Sequence, residues 1–380
     1  MGPALMGILA RHVASRFLWN FAALFGALYL FGVGIDVVIS TNKFLEAADL
    51  AVRQGLVQSR LMGFVVMLLD FHGPRIFQFL QFMVGMVSVG AMGFTFSQMH
   101  RARELTAIMA AGIDLRRIAL VVLLAALGLN LVQLASQEWI LPRLAPKLVR
   151  THADMVEGRG SSFPVPLSRD ASGKLLQASA FDPTTGRLAG LIVLERDERG
   201  RARTRISADA ARWDAAREVW VLEGGKAIRL PDSPQARATT ETGEFERPAD
   251  EVATNLGPES ILTRRFRIYG QMLSTPQLLE LRDGGGPDRT LAGRLLASRI
   301  LGPLVNLLVL ASAIPYFLLR EPRGMLGQSL RAAAFAVPVS ITALTLTTVP
   351  LSGLPPLLGA AIPAALLLPW AAWRLSALRS

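Results

Sequence analysis

The sequence predicts a membrane protein, mainly α-helical, with six transmembrane helices and a β-domain inserted between the third and fourth. Three observations predict it. Hydrophobic residues fill 51% of 380 positions and charged residues only 18%. The apolar residues gather into six runs, each near the roughly 20 residues that a lipid-spanning helix needs. The stretch between the third and fourth runs abandons that pattern.

The runs are Phe17 to Ile39, Ile76 to Phe96, Ile118 to Ala135, Leu296 to Leu318, Ala332 to Val349 and Leu357 to Trp373. Pro363 and Pro369 interrupt the last. Membrane helices tolerate proline because neighbouring helices and local adjustments satisfy the freed backbone groups. Arg11 and Arg16 precede the first run, as in a secretory leader. Its core is longer than a leader's apolar region and no small-x-small site follows it cleanly, so a retained first span is expected.

Lysine and arginine in short loops set orientation. Arg11 and Arg16, then Arg101, Arg103, Arg116 and Arg117, then Arg320, Arg323 and Arg331, then Arg374 and Arg379 fall on one side of a six-span chain. On the other side, the loop from Ser40 to Arg75 dilutes its basic residues with Glu46, Asp49 and Asp70, and Pro350 to Pro356 carries no charge. Both termini are therefore expected in the cytoplasm and the middle domain outside it. The net charge of +11 is explained by basic loops meeting anionic lipid. No nucleic-acid recognition motif accompanies it. Cysteine is absent, which excludes a disulfide scaffold.

The expected domains are 1–136, with three spans and a short inner-face helix at about 99–113; 137–294, the β-domain; and 295–380, with three spans. Within the middle domain, Leu175 to Phe181, Leu188 to Glu195 and Arg203 to Ala208 read as strands. Trp213 and Trp220 flank a turn at "DAARE", and "VLEGGKAIRL" reads as strand, Gly224-Gly225, strand. Ser260 to Ile268 reads as one more. Such spacing indicates a sandwich or jelly roll. Ser274 or Thr275, followed by Pro276, starts a helix. "RDGGGPD", Arg282 to Asp288, is a hinge.

Between runs two and three lies "RELTAIMAAGIDLRR", Arg103 to Arg117. Leu105, Ile108, Met109 and Gly112 share one helical face. Ala107, Ala110 and Ala111 are small enough for another surface to approach. Gly112 suits a helix C-terminal cap and Asp114 an N-cap for the next helix. Two readings are open: an interfacial connector, or a docking helix for a cytoplasmic partner. Glu104, an acid among arginines, fits a partner's basic groove or an intrahelical pair.

Several chemistries lack their residues. No G-x-x-x-x-G-K-[ST] occurs; "EGGKAI", Glu223 to Ile228, has neither the spacing nor the hydroxyl. His12, His72, His100 and His152 sit in no H-E-x-x-H or G-x-S-x-G context. Asp36 and Asp70 fall near outer ends of spans, where a headgroup-level acid is the plain reading. "RGRARTR" places Arg199, Arg201, Arg203 and Arg205 at period two, a solvated face or a phosphate contact. Trp213 and Trp220 read as a cross-strand core pair.

"RELTAIMAAG" after span two and "FHGPRIFQFL" before it resemble the lipopolysaccharide export permeases LptF and LptG. So do "ISADAARWDAAREVWVLEGG" and "RILGPL", and the order of spans and β-domain is similar. The resemblance implies a β-jelly-roll domain in the periplasm of a bacterial inner-membrane protein. It implies an ABC transporter permease that extracts lipopolysaccharide from the outer leaflet of the inner membrane and passes it to a periplasmic jelly-roll bridge. The chain itself would be no enzyme and hold no cofactor or metal. ATP and Mg would be on a cytoplasmic ATPase dimer, and a paralogous or identical permease subunit would pair with it. By the same resemblance, Arg103, Glu104, Leu105, Ile108, Met109 and Gly112 form the coupling helix in the ATPase groove. Phe31, Gly34, Asp36, Ile192, Trp220 and Leu222 are the expected lipid path. Family members carry basic residues late in span one, whereas "YLFGVGIDVVIS" has Asp36 and none. The alternatives are a permease for another lipid or lipoprotein, and a non-transporting scaffold with a periplasmic binding domain.

Overall fold

A computed structural model describes residues 3–148, 150, 152, 162–170, 172–182, 185–197, 200–229, 246–258, 260–261, 272–283, 289–318, 325–348 and 355–376. The chain divides into two compact units: 1–41, 65–144 and 274–380; and 42–64 with 145–273.

The helices are α1 (Pro3–Arg53), α2 (Arg60–His72), α3 (Arg75–Arg101), α4 (Glu104–Ala110), α5 (Leu115–Ala135), α6 (Leu141–Leu148), α7 (Thr275–Asp283), α8 (Arg289–Ala313), α9 (Met325–Thr348) and α10 (Pro356–Ser376). A π-turn, Ser136–Ile140, joins α5 to α6, and a 3₁₀ turn, Ile314–Tyr316, ends α8. Among the described residues, five stretches are long and apolar enough to cross a membrane: Gly7–Arg53, Arg75–Arg101, Leu115–Ala145, Arg289–Tyr316 and Leu357–Ser376. The fifth predicted run contributes a shorter apolar helix, Leu330–Ala343.

In the first unit, Val13, Phe17 and Phe21 of α1 pack with Val84, Met92 and Phe96 of α3, Ile118 and Val122 of α5, and Val305 and Val309 of α8. Small residues let these helices approach closely. A Cβ on Gly85 would stand 2.3 Å from Oδ1 of Asn306, so the glycine makes room for that side chain. Asn306 Nδ2 donates to Asn130 Oδ1 at 3.0 Å, and Asn130 Nδ2 donates to the Ala126 carbonyl at 2.8 Å. The amides thus answer each other inside an apolar bundle. Helix α7 starts as its residues dictate. Gln277 Oε1 accepts from the Ser274 amide at 2.8 Å, half of a capping box, with Pro276 in the first turn.

The second unit corrects one expectation. The presumed loop from Ser40 to Arg75 is largely helical. α1 continues to Arg53 after leaving helical geometry at Ser40 (φ −108, ψ 16), and α2 follows. Phe44, Ala47, Ala48 and Ala51 recur at helical spacing and are at most 2% exposed. A Cβ on Gly63 would lie 3.0 Å from the Ala48 carbonyl oxygen, so that glycine permits close helix crossing.

The rest of the unit is an antiparallel sheet: β1 (Phe163–Arg169), β2 (Leu175–Asp182), β3 (Arg187–Arg196), β4 (Ala202–Asp214), β5 (Val219–Glu223), β6 (Lys226–Arg229), β7 (Glu246–Pro248) and β8 (Glu251–Ala253). The order is β1-β2-β3-β4-β5-β8, with β6 also on β4 and β7 on β6. The runs expected at Arg203 and at Trp213 are one 13-residue strand, β4. Its edge is shared: Thr204 to Ser207 pair with β6, and Ala210 to Asp214 with β5. The chain between them passes Gly224 (φ +67) and Gly225, where a Cβ would meet the Ala249 carbonyl oxygen at 2.0 Å. Lys226 and Glu246 pair at 2.8 Å across β6–β7, and that hydrogen bond holds the ammonium pKa above its ordinary value.

The sheet bends at one level. Inward residues of a regular strand are two apart. Here Ala178 is followed by Phe181, Leu188 by Leu191 and Ala208 by Ala211 as the buried set. These residues are register partners, Ala178↔Leu191↔Ala208 and Phe181↔Leu188↔Ala211. Three adjacent strands therefore shift phase together. Gly190, at φ +59 inside the shift, would place a Cβ 2.4 Å from Ser179 Oγ. Both halves of the sheet can then face one core. Of the strand expected at Ser260 to Ile268, Ser260 and Ile261 are helical and 262–268 lie outside the described residues. Arg199, Arg320, Arg323, Arg379 and positions 284–288 and 349–354 also lie outside them.

Candidate functional site

The short helix α4 is held by its sequence at both ends. α3 closes with the Ala102 amide on the Gln98 carbonyl and the Arg103 amide on the His100 carbonyl, both at 3.0 Å. Arg103 then takes φ +55, a left-handed backbone that side chains rarely adopt. At the far end the Gly112 amide bonds the Met109 carbonyl at 2.9 Å and the Ile113 amide bonds the Ile108 carbonyl at 3.2 Å. With Gly112 at φ +71, this is the paired-bond glycine cap, and the apolar C″ residue Ile113 is buried with Ile108. Asp114 Oδ1 accepts from the Arg116 amide at 2.9 Å, capping α5.

Leu105 and Ile108, expected as contacts for a partner, are 1% and 7% exposed and belong to the chain's own core. Met109 is partly buried against the same core. An apolar stripe on a seven-residue helix lies down on its own bundle, because that removes the most apolar surface from solvent. The outward surface is Thr106, Ala107, Ala110, Ala111 and Gly112, with Arg103 beside it.

Glu104 pairs with α1 and not within its own helix. Arg16 Nη1 of α1 donates to both its carboxylate oxygens at 2.8 Å, and His12 Nε2 lies 3.5 Å away. Arg16 and Glu104 side chains are 28% and 29% exposed, so solvent screens the pair only in part. Nearby, His100 Nε2 is 2.9 Å from the Phe317 carbonyl, and Arg116 Nη2 donates to the Ser376 carbonyl at 2.9 Å. Polar contacts thus join α1, α4, the end of α3, the ends of α8 and α10, and the start of α5 at one end of the bundle.

The lipid-path candidates separate. Phe31 is 68% exposed and Gly34 is exposed on α1. Asp36 pairs with His72 Nε2 at 3.3 Å, and the Tyr29 hydroxyl donates to the His72 carbonyl. Ile192 is partly exposed on β3. Trp220 and Leu222 are 0% and 8% exposed and pack in the sheet core, in line with the reading of Trp220 as a core partner of Trp213. Trp220 Nε1 donates to the Leu256 carbonyl at 2.9 Å, and its ring packs edge-on to Trp213 with centroids 5.1 Å apart. A buried indole needs such a partner.

One cluster escaped sequence reasoning. Glu138, on the π-turn, accepts from the Thr275 amide at 2.9 Å, from the Thr275 hydroxyl at 2.5 Å and from Arg299 Nη1. It ties the end of span three to the start of α7 and to α8. Arg299 is 7% exposed. The available signal was a single arginine within an apolar run. Among the described residues no three side chains form a metal-ion group.

Apolar helices of spanning length, with an antiparallel sheet folded as a separate unit, define a multi-pass helical membrane protein. The sequence model of the lipopolysaccharide export system permease LptF/LptG matches residues 15–377, nearly the whole chain, and the chain belongs to that family. It is a family of transport permease subunits in the inner membrane. No curated protein matches the chain.

Proposed function

We propose that this chain is half of a permease dimer that lifts lipopolysaccharide from the outer leaflet of the inner membrane, driven by a separate cytoplasmic ATPase dimer. ATP and Mg are held by that ATPase. α9 supplies the remaining span, the fifth in chain order; its 24 residues reach about 36 Å, enough for the hydrocarbon core. Both termini and α4 then face the cytoplasm, and the sheet unit stands in the periplasm as a jelly-roll domain that hands lipid to a periplasmic bridge.

The observation that carries the reading is α4 itself. It is a short helix with a glycine cap at its C-terminal end and a small-residue outer face, joined covalently to two spans and by the Arg16–Glu104 ion pair to a third. A partner seated on Ala107, Ala110 and Ala111 would move α3, α5 and α1 together. Closure of the ATPase then narrows the cavity beside the exposed upper part of α1, and the amphiphile is displaced toward the β-domain. Acyl chains leaving a bilayer need a continuous apolar path. With Trp220 and Leu222 in the core, partly exposed residues such as Ile192 are the candidates for that path.

The test is purification of the native complex. Co-purification of an ATPase that Ala107→Arg with Ala110→Arg releases, leaving the chain membrane-inserted, supports the reading; unchanged capture refutes it. Mass spectrometry of the bound lipid decides a second reading. The Asp36–His72 pair, where family members carry cations, favours a permease for a lipid with fewer phosphates, or for a lipoprotein.

A further inference from the structure

We infer that the membrane unit holds a second lipid site, apart from any export path: a cleft for one acyl chain of an anionic phospholipid in the leaflet on the α4 side. The cleft encloses about 510 Å³ and lies between α3, α9 and the ring of Phe317. That is the size of a single small-ligand site, which suits one chain rather than a many-chained glycolipid.

Its α3 wall is one helical stripe from Met86 through Gly90, Gly93 and Ser97 to Arg101. The fifteen helical steps from Met86 to Arg101 extend about 22 Å, comparable to one extended acyl tail. Opposite stand Ala332, Ala333 and Ala336 of α9. Small residues on both walls keep the helices from filling the space, and a Cβ on Gly93 would already lie 3.0 Å from the Phe317 ring. Phe94, 57% exposed, marks an opening to the surface.

Polarity runs along the cleft in one direction. The Met86 end is apolar, and the polar lining, Ser97 and Arg101, lies toward the other end. Arg101 is exposed and has no hydrogen bond or ion pair among the described residues. A bilayer amphiphile has the same order, with an apolar tail and a headgroup at the interface. A cation at the mouth selects a negative headgroup. Only the name of the leaflet depends on the function proposed above; the site needs neither an ATPase nor an export substrate.

The experiment reconstitutes the full chain in nanodiscs of phosphatidylcholine. Phosphatidylglycerol with a photoreactive tail is titrated in, and adducts are mapped by mass spectrometry. Saturable adducts on 86–97 or 332–337 are expected. Ala333→Phe should abolish them by filling the cleft. Arg101→Gln, at an exposed position where folding is insensitive, should weaken labelling about fivefold. A phosphatidylcholine probe of the same tail should label no better than the Arg101→Gln variant does with phosphatidylglycerol. Equal labelling by both lipids, no effect of Arg101→Gln, or adducts confined to other helices overturns the site.

Discussion

Reversing the ion pair between α1 and α4 distinguishes a docking acid from an internal latch. Glu104 receives both 2.8 Å contacts from Arg16. At 28% and 29% side-chain exposure the pair sits between the surface regime, about 0–1 kcal/mol, and the buried regime, about 3–5 kcal/mol when one partner is removed. A coupling of roughly 1–2 kcal/mol follows, or about five- to thirtyfold in an equilibrium. Glu104→Arg alone sets two arginines and His12 face to face. Arg16→Glu alone sets two carboxylates together. Each single variant should detach α4 from α1 and lower ATPase-coupled lipid release by that factor. The double variant, Arg16→Glu with Glu104→Arg, restores an ion pair and should recover most of the loss. The assay is lipid release from proteoliposomes with the partner ATPase, alongside ATPase capture by the permease. Recovery of release with capture nearly constant supports the latch. A double variant as poor as Glu104→Arg, with capture lost in both, would refute it and return Glu104 to direct docking.

Other substitutions test individual elements. Gly112→Ala forces a side chain into φ +71 and should lower stability by about 1 kcal/mol, read as a reduced Tm of the detergent-solubilised chain. Asp114→Ala removes the cap of α5 and should cost about 1 kcal/mol in the same melt. Gly190→Ala, with φ +59 and Ser179 Oγ at 2.4 Å, should unfold the bend; faster hydrogen exchange in β2 to β4, with the spans unchanged, is the expected signature. Arg299→Ala strips Glu138 of its cation and should destabilise the membrane unit by roughly 3–5 kcal/mol. Pairing it with Glu138→Gln should return much of that, and a melt showing no rescue would reject the clamp.

How much was legible beforehand varies by element and follows the range of the forces involved. The long apolar helices were readable because about twenty apolar residues in a row are a local property; five reach spanning length among the described residues. The caps at Gly112 and Asp114 were readable for the same reason, since a cap acts within four residues. The hairpin at "DAARE" likewise carries its turn between two tryptophans. The helical character of 42–53 was missed because its stripe, Phe44, Ala47, Ala48 and Ala51, follows a lipid run and is mixed with Lys43, Glu46 and Asp49. The merger of two expected strands into β4 was missed because the phase shift at Ala208 to Ala211 breaks the period-two pattern inside the strand.

Which way a face points is a different kind of fact. Leu105 and Ile108 had to be apolar on one side of α4, yet whether that side met a partner or the chain's own bundle depended on Val13 and Phe17, about ninety residues earlier. Glu104 found Arg16 at a separation of 88 residues, and Glu138 found Arg299 at 161. Electrostatic pairing of this kind is decided by distance in space, which sequence separation does not encode. Local chemistry wrote the list of elements, and packing assigned their partners, because burial and charge pairing reward whichever surfaces the folded bundle brings together.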